Sequence, residues 1–472
     1  MKIRTLLMAT AFFYCTANSL AEPVEKVYQT YCADCHGDHL NGGFGPSLID
    51  NYWKHGNDAN DVANVIRNGV PDTDMRAWRD KLSDDVIRSL VIYIREQKFA
   101  AEKETLLQLS SSKDGVFDAA GYKFSLVNVT SAPGVFWSFV ILPDKSILIT
   151  ERWGILYHLD GGKLVKVSAT PKVWQAGQGG LLDVALHPNY LNNGWVYLTY
   201  SENVGAHENG KAAGMTAVAR GKIVNERWVD NQKIFSVDPA MHLSSDYHFG
   251  SRMIFQNGYL LFGIGDRGQP NYAQDLSRPE GKIFRIYDDG RVPADNPFQG
   301  KPGALPAIWS YGHRNPQGLE FDENTGLLWE SEHGPRGGDE VNIIEKGGNY
   351  GWPLATYGMN YDGTPIHGAT ERQGMIEPKH YWVPSIAVSG IRLYRGSVFP
   401  NWRNKILAGG LASEELHLLS LKGQTVTNDQ ILLKGQGRVR DVDIDKEGNI
   451  YLILNDGNDS SRLVRLQRKY LN

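Results

Sequence analysis

"RMIFQNGYLLFGIGD" (252–266) reads as an apolar strand, a turn of Asn and Gly, and a second apolar strand. The same phrase returns as "SFVILPDKSILITER" (138–152), "DVALHPNYLNNGWVYLTYSE" (183–202), "GLEFDENTGLLWESE" (318–332), "GSVFPNWRNKILAGG" (396–410) and "DVDIDKEGNIYLILND" (441–456). The six copies are spread over roughly 350 residues, or about 60 per unit, which suits four-stranded propeller blades with long loops. A β-sandwich with irregular hairpins is the competing architecture. The even dispersal favours an all-β six-bladed β-propeller. The 51 glycines and 12 tryptophans agree with tight turns between aromatic-rich strands.

Ahead of residue 116 the periodicity is helical. Val24, Val27, Tyr28 and Tyr31 follow i, i+3, i+4, i+7 spacing, and Ser83-Asp84-Asp85 marks a capped start. Val86, Ile87, Leu90, Val91 and Ile94 then make one apolar stripe. A small all-α domain is therefore expected over 22–98, a linker over 99–115 where mixed charge gives way to serines, and the propeller over 116–472.

Residues 1–21 read as a secretory signal: Lys2 and Arg4, an apolar run from Leu6 to Tyr14, and small residues up to Ala21 for cleavage. Phe12-Phe13-Tyr14 is too bulky ahead of Cys15 for a lipid anchor. No later segment is apolar for long enough to span a bilayer, and the expected location is the periplasm. The net charge of −4 comes from interspersed acids and bases, which gives no footprint for nucleic acid or an anionic membrane.

Removing the signal takes Cys15 with it and leaves two cysteines, both in "YCADCHG" (31–37). Cys32-x-x-Cys35-His36 allows two thioether bonds to a haem while the histidine ligates its iron. A lone disulfide or half a zinc site are the alternatives, but no other mature cysteine exists to complete a zinc site. For the iron's sixth ligand, Met75 is the one methionine between the signal and the linker, with His39 and His55 as rivals. The region resembles a small class I cytochrome c.

Four clusters mark the propeller: His248 in "YHFGSR", Arg314 and Asn315 in "YGHRNPQG", the acid-rich "SEHGPRGGDEVNIIEKGGNYGWP", and Arg438 and Arg440 in "GRVRDVD". Loops of different blades converge near a propeller's central channel. Arginines gathered there suit a planar ligand bearing carboxylates, and "HGPRGGDE" offers carbonyls and carboxylates to a cation such as Ca²⁺. Taken singly, each arginine is equally a solvated strand residue and His248 a satisfied polar one.

With "GQGGLLDVALHP", "HFGSR", "GHRNPQGL", "SEHGP", "DEVNIIEKGGNYGWP" and "GRVRDV", residues 125–470 resemble the soluble pyrroloquinoline-quinone (PQQ) dependent glucose/aldose sugar dehydrogenases. The resemblance implies His248 as general base, Arg314 and Asn315 on the cofactor quinone, and Gln178, Arg438 and Arg440 as further PQQ ligands. It also implies Ca²⁺ held by the carbonyls of Gly334 and Pro335, and a second Ca²⁺ at Asp339, Glu340 and Tyr350. Three departures stand out. Arg395 replaces the glucose type's cofactor-binding lysine, Tyr247 replaces the aspartate before the base, and Trp382 falls one position from the sugar-stacking tryptophan. They make the substrate pocket the least transferable part of the resemblance, and within the family a sorbosone- or aldehyde-type substrate rather than glucose is the alternative expected.

The expected activity is oxidation of an aldose to its lactone, or of a related aldehyde or alcohol, by hydride transfer to PQQ. Electrons would pass to haem c and on to an external acceptor: a soluble cytochrome, the quinone pool or an oxidase. The linker would hold the haem close without a permanent interface. A Ca²⁺-dependent lactonase and a non-catalytic docking propeller are the competing readings. Neither gives the haem a purpose, and a homodimer is left open.

Overall fold

The computed structural model describes residues 22–110, 115–206, 210–457 and 460–470. The expected signal, 1–21, lies outside them. From Val116 onward the described chain forms six antiparallel sheets. Their innermost strands, Phe136–Ile141, Leu181–Leu186, Met253–Gln256, Pro316–Asp322, Val388–Leu393 and Arg438–Ile444, pack in that order, and the last meets the first. The result is the expected six-bladed propeller.

Five blades are four-stranded, and the sixth joins the two ends of the chain. Its strand Tyr122–Pro133 pairs with Ser460–Lys469, from Lys123 opposite Lys469 to Pro133 opposite Ser460. The ring is thus closed by main-chain hydrogen bonds between segments far apart in sequence. Apolar side chains fill the gaps between blades. Phe136, Phe139, Ile149, Ile453 and Leu463 join the first blade to the last, and Trp402 stacks on Phe399 at 4.2 Å beside Phe124.

A polar hub lies where the innermost strands meet. The fully buried Arg252 donates from Nη1 to Ser138 Oγ (3.1 Å), Asp183 Oδ1 (3.0 Å) and Asp441 Oδ2 (3.1 Å), and from Nε to the Gln317 carbonyl (3.0 Å). These partners come from four other blades. The remaining blade contributes Gly390, where an added Cβ would lie 2.3 Å from Asp441 Oδ1. One guanidinium thus ties the channel together, and only glycine fits beside it.

Four helices precede the propeller: α1 (Val24–Tyr31), α2 (Ala33–His36), α3 (Ala59–Asn68) and α4 (Asp84–Ser110). The Asp58 side chain caps α3 through the Asp61 amide, and acidic Asp84 and Asp85 suit the N-terminal end of α4. Ile87, Leu90, Val91 and Ile94 of α4 join Val24, Val27 and Tyr28 of α1 in one core. The helix continues through Ser110, so 99–110 is helix rather than the expected linker. A second correction concerns mobility: this domain packs directly on the propeller, whose Met359 is fully buried in the helical core. Among the described residues no helix is long and apolar enough to cross a membrane.

Candidate active site and haem site

His248 stands on the loop "YHFGSR" with φ of 56°, followed by Gly250 at 64°. That left-handed turn aims the imidazole back over the strand mouth, and Gln178 Oε1 holds it by accepting from the His248 amide (2.9 Å). Behind the ring lies Asp266, 1 % exposed, with its Oδ1 at 2.6 Å from His248 Nδ1. Asp266 also accepts from the Gly268 amide (2.8 Å) and from Trp352 Nε1 (2.7 Å). Burial would raise this carboxyl, but His248, Arg314 and the Gly268 amide outweigh it and hold it below the usual range. The ionised Asp266 fixes the proton on Nδ1 and leaves the Nε2 lone pair free. Burial, then Arg314 and Arg267, depress the His248 pKa against the pull of Asp266. The site therefore holds an imidazole oriented by Asp266 and biased by burial toward its neutral form. Neither Asp266 nor Trp352 was singled out in the sequence; Asp266 closes the quoted stretch 252–266 as an ordinary strand-end acid.

Arg314 Nη1 donates to the carbonyls of His333 (3.1 Å) and Gly334 (2.5 Å), while its buried Nε has no partner. Its guanidinium lies 5.3 Å from the Trp352 ring. Asn315 Oδ1 accepts from the Gly250 amide (3.1 Å), which locks the arginine loop to the histidine loop. Arg440 is only loosely held, by Asn455 at 3.4 Å. Burial first, then Arg438, Arg152 and Arg252, lower its pKa to about 9. His333 is pushed well below its usual value by burial and by Arg314, Arg440 and His248, and its Nε2 has no partner. Cations gathered against one another, with orphaned donors among them, fit a polyanionic ligand with carboxylates and carbonyl oxygens. Arg152, at the end of "SILITER", joins Arg314, Arg438 and Arg440 as a fourth arginine, one that sequence reading missed.

Two expected residues are not brought to this face. Arg395 pairs with Asp322 at the far end of strand Pro316–Asp322, and seven residues of strand place it roughly 20 Å from the Arg314 end. Trp382 is buried in its blade and donates from Nε1 to Asp429 (2.8 Å). The exposed aromatic beside the base is Tyr247, its ring centroid 4.9 Å from that of His248 and 42 % of its surface open.

Below Arg314, buried His313, Glu330 and Glu332 bring ligand atoms within 4.8 Å of one another. Asn342 Nδ2 donates to Glu330, Glu332 and Glu340 at 3.1–3.3 Å, leaving Glu330 Oε1 and Asn342 Oδ1 unpartnered. Burial and the neighbouring Glu332 push both Glu330 and Glu340 well above the ordinary carboxylate range. Arg314, Gly334, Pro335, Glu332, Glu340 and Tyr350 line a cavity of about 10 Å³, the room one water or small ion needs. Crowded carboxylates with spare oxygens fit a divalent cation. Asp339 does not belong to that donor set. Its two oxygens accept from the amides of Gly334 (2.9 Å) and Val388 (3.0 Å). The Tyr350 hydroxyl is likewise taken, by Ile343 O and the Glu345 amide at 2.7 Å each.

Residues 132–465 match the Glucose / Sorbosone dehydrogenase family. The chain belongs to that family. Aldose sugar dehydrogenase YliI of Escherichia coli (strain K12) is 42% identical over 329 residues, which cover 68% of this chain and 87% of the relative. The crystal structure of the soluble E. coli aldose sugar dehydrogenase in its apo form superposes with a TM-score of 0.69 at 38% identity, covering 73% of this chain and all of that one. The PQQ-bound aldose sugar dehydrogenase of Streptomyces coelicolor gives 0.60 at 27% identity, covering 74% and 99%. This family member is an oxidoreductase.

Its helical domain builds the second site. Cys32 and Cys35 form no disulfide. The His36 ring donates from Nδ1 to the Pro46 carbonyl (2.8 Å), which frees Nε2 for an iron. Met75 lies in the loop between α3 and α4 and packs against the helical core, whereas His39 and His55 are exposed. Two thiols, an oriented imidazole and a core-facing thioether fit a covalently held haem. Residues 19–94 match the family "Cytochrome C oxidase, cbb3-type, subunit III", so the enzyme carries its own cytochrome c domain.

Proposed function

We propose that this chain is a quinohaemoprotein that oxidises an aldose, or a related aldehyde or alcohol, on the propeller face and passes the electrons to haem c. The observation that carries the reading is the His248–Asp266 hydrogen bond of 2.6 Å beside a group of arginines that, among the described residues, form no salt bridge with a carboxylate. The names of the E. coli and Streptomyces relatives support it. PQQ, when bound, supplies the sink for a hydride, and the haem supplies one-electron chemistry. His248 Nε2 accepts the proton of the substrate hydroxyl, at the anomeric carbon of an aldose, so the product is a lactone. Arg314 and Asn315 would hold the quinone end of that cofactor, where the guanidinium would favour negative charge. Arg438, Arg440 and Arg152 take the carboxylates, and Gln178 closes the site beside His248.

Gly334 and Pro335 offer carbonyls to a Ca²⁺ at the cofactor. Glu340, with Glu330 and Glu332 in place of Asp339, holds the second Ca²⁺. Cys32 and Cys35 would hold the haem through thioethers, and His36 and Met75 would bind its iron. Tyr247 borders the substrate and favours a sorbosone- or aldehyde-type sugar over glucose. The N-terminal 21 residues direct export to the periplasm, where an external acceptor reoxidises the haem.

Adding PQQ and Ca²⁺ to purified protein and following haem reduction with a panel of sugars tests this reading; no reduction with any sugar would refute it. Arg438→Ala should weaken PQQ binding while excess PQQ partly restores the dye-linked rate, read as activity against PQQ concentration. A mutant rate that saturates low at every PQQ level would remove Arg438 from cofactor binding. Met75→Ala should abolish the weak near-infrared band of Met-ligated ferric haem and lower the potential. An unchanged band would give the iron another ligand.

A further inference from the structure

Arg88, Ile92, Arg95, Glu96 and Phe99 form one continuous stripe along α4, with Ile92 at the edge of the helical core. Each of these residues touches the propeller. Arg88 donates to the carbonyls of Gly358 (3.2 Å), Gly368 (3.1 Å) and Ile366. Arg95 Nε donates to Val383 O (2.6 Å), and Lys434 Nζ lies 4.4 Å from the Phe99 ring. Ile92 sits on Gly337, where an added Cβ would come within 3.1 Å of it. Between α1 and α4, Arg336 Nη2 donates to Glu25 (3.0 Å) and Glu96 (2.8 Å), and Arg336 Nε donates to both Glu96 oxygens (3.1 and 3.0 Å).

Arg336 is the second residue after Gly334. The segment 334–338 thus faces two ways. Its inner side gives the Gly334 carbonyl to Arg314 and the Pro335 carbonyl to Ser385. Its outer side holds the cytochrome helices. Tyr93 of α4 lies one turn before Glu96 on the same helix. The Tyr93 ring lies 5.5 Å from that of Tyr28, whose carbonyl accepts from the Cys32 amide (2.8 Å). Hydrogen bonds thus join the cofactor loop to α1 and α4 through Arg336, and α1 leads on to Cys32.

We infer that Arg336 latches the cytochrome domain onto the cofactor loop, and that electrons cross to the haem through this fixed contact rather than after a domain swing. The inference rests on the proposed function. Each sugar oxidised releases two electrons and the haem takes one at a time. Two crossings therefore occur per turnover, each reducing ferric to ferrous haem, with the external acceptor reoxidising it between them. The hydroxyl proton leaves through His248 to solvent, and the hydrogen carried by the hydride follows as a second proton once both of its electrons have passed to the haem.

The test uses the full chain with haem, PQQ and Ca²⁺ bound. Glu25→Arg/Glu96→Arg sets three cations against one another and should slow haem reduction by sugar more than 10-fold, while dye-linked oxidation is unchanged. Amide exchange in 334–338 and along 88–99 should quicken. Adding Arg336→Glu, which swaps every charge, should restore both readouts, and the milder Glu25→Gln/Glu96→Gln pair should move them in the same direction as the double arginine variant. Haem reduction at the wild-type rate despite faster exchange would overturn the route, and unchanged exchange would overturn the latch. A wild type that reduces neither dye nor haem with any sugar would sink the functional reading instead, and the exchange comparison would still decide the latch.

Discussion

His248→Ala is expected to lose about 10²–10⁴-fold of turnover with a dye acceptor while retaining PQQ binding, because the cofactor's charges are met by arginines on other loops. Asp266→Asn should fall in the same range although it never touches substrate. An amide in that place accepts less strongly and no longer fixes the proton on Nδ1, so Nε2 is not reliably the free base. The pH profile separates the two roles. In the native site burial, Arg314 and Arg267 keep the His248 pKa below its usual value of about 6.5. The acid limb of kcat/KM should therefore fall below that pH. Asp266 is the group that opposes this depression, so its neutralisation should move the limb further toward acid as well as lower the plateau. Full recovery of His248→Ala at high PQQ would make the histidine a cofactor ligand and leave the base to be found elsewhere. Measuring dye-linked kcat/KM from pH 4.5 upward for the three proteins decides between them.

Arg252→Met should be the most damaging single change to stability, at about 3–5 kcal/mol, the usual cost of leaving a buried charge without its partner. Asp183 and Asp441 would face each other in the channel with no cation between them. Asp183 is already raised above its usual pKa by burial, with Asp441 adding to the rise and Arg252 opposing it. Without Arg252, Asp183 loses the charge that opposes this rise and takes up a proton at a still higher pH. Acids with raised folded pKa cost stability above their unfolded pKa, and the cost is relieved as pH falls. The drop in thermal midpoint should accordingly be larger at pH 7 than at pH 5. Adding Asp441→Asn should recover part of it. A midpoint within a degree or two of the native protein at both pH values would show that the hub is not what holds the blades.

The propeller was legible because each blade repeats one hairpin. Five of the six quoted phrases are the innermost strand and its neighbour, as 252–266 spans Met253–Gln256 and Tyr259–Ile264. The phrase 396–410 misled: its first half is the short turn Pro400–Trp402, and the true inner strand is Val388–Leu393. The same local ambiguity hid that Arg395 lies at the opposite end of the ring from the arginines of "GRVRD". His248, Arg314 and Asn315 stood out through their motifs, whereas Asp266 is recognisable only by the imidazole 18 residues earlier that folding brings against it. The length of α4 was missed because its second stripe mixes Arg and Glu with Ile and Phe. In sequence that pattern reads as a solvated face; in the fold it is an interface whose charges are paired across the domains.

Limiting aldose, added without oxygen to the protein loaded with PQQ and Ca²⁺ and carrying oxidised haem, tests the central claim most directly. Each chain carries one haem, so with no acceptor present electron balance predicts one haem reduced promptly for each sugar consumed, read from the growth of the ferrous α-band, with the second electron following only by exchange between chains, and no reduction in His248→Ala on the same timescale. Sugar consumed with the haem left ferric, or haem reduced at the same rate in His248→Ala, would contradict it.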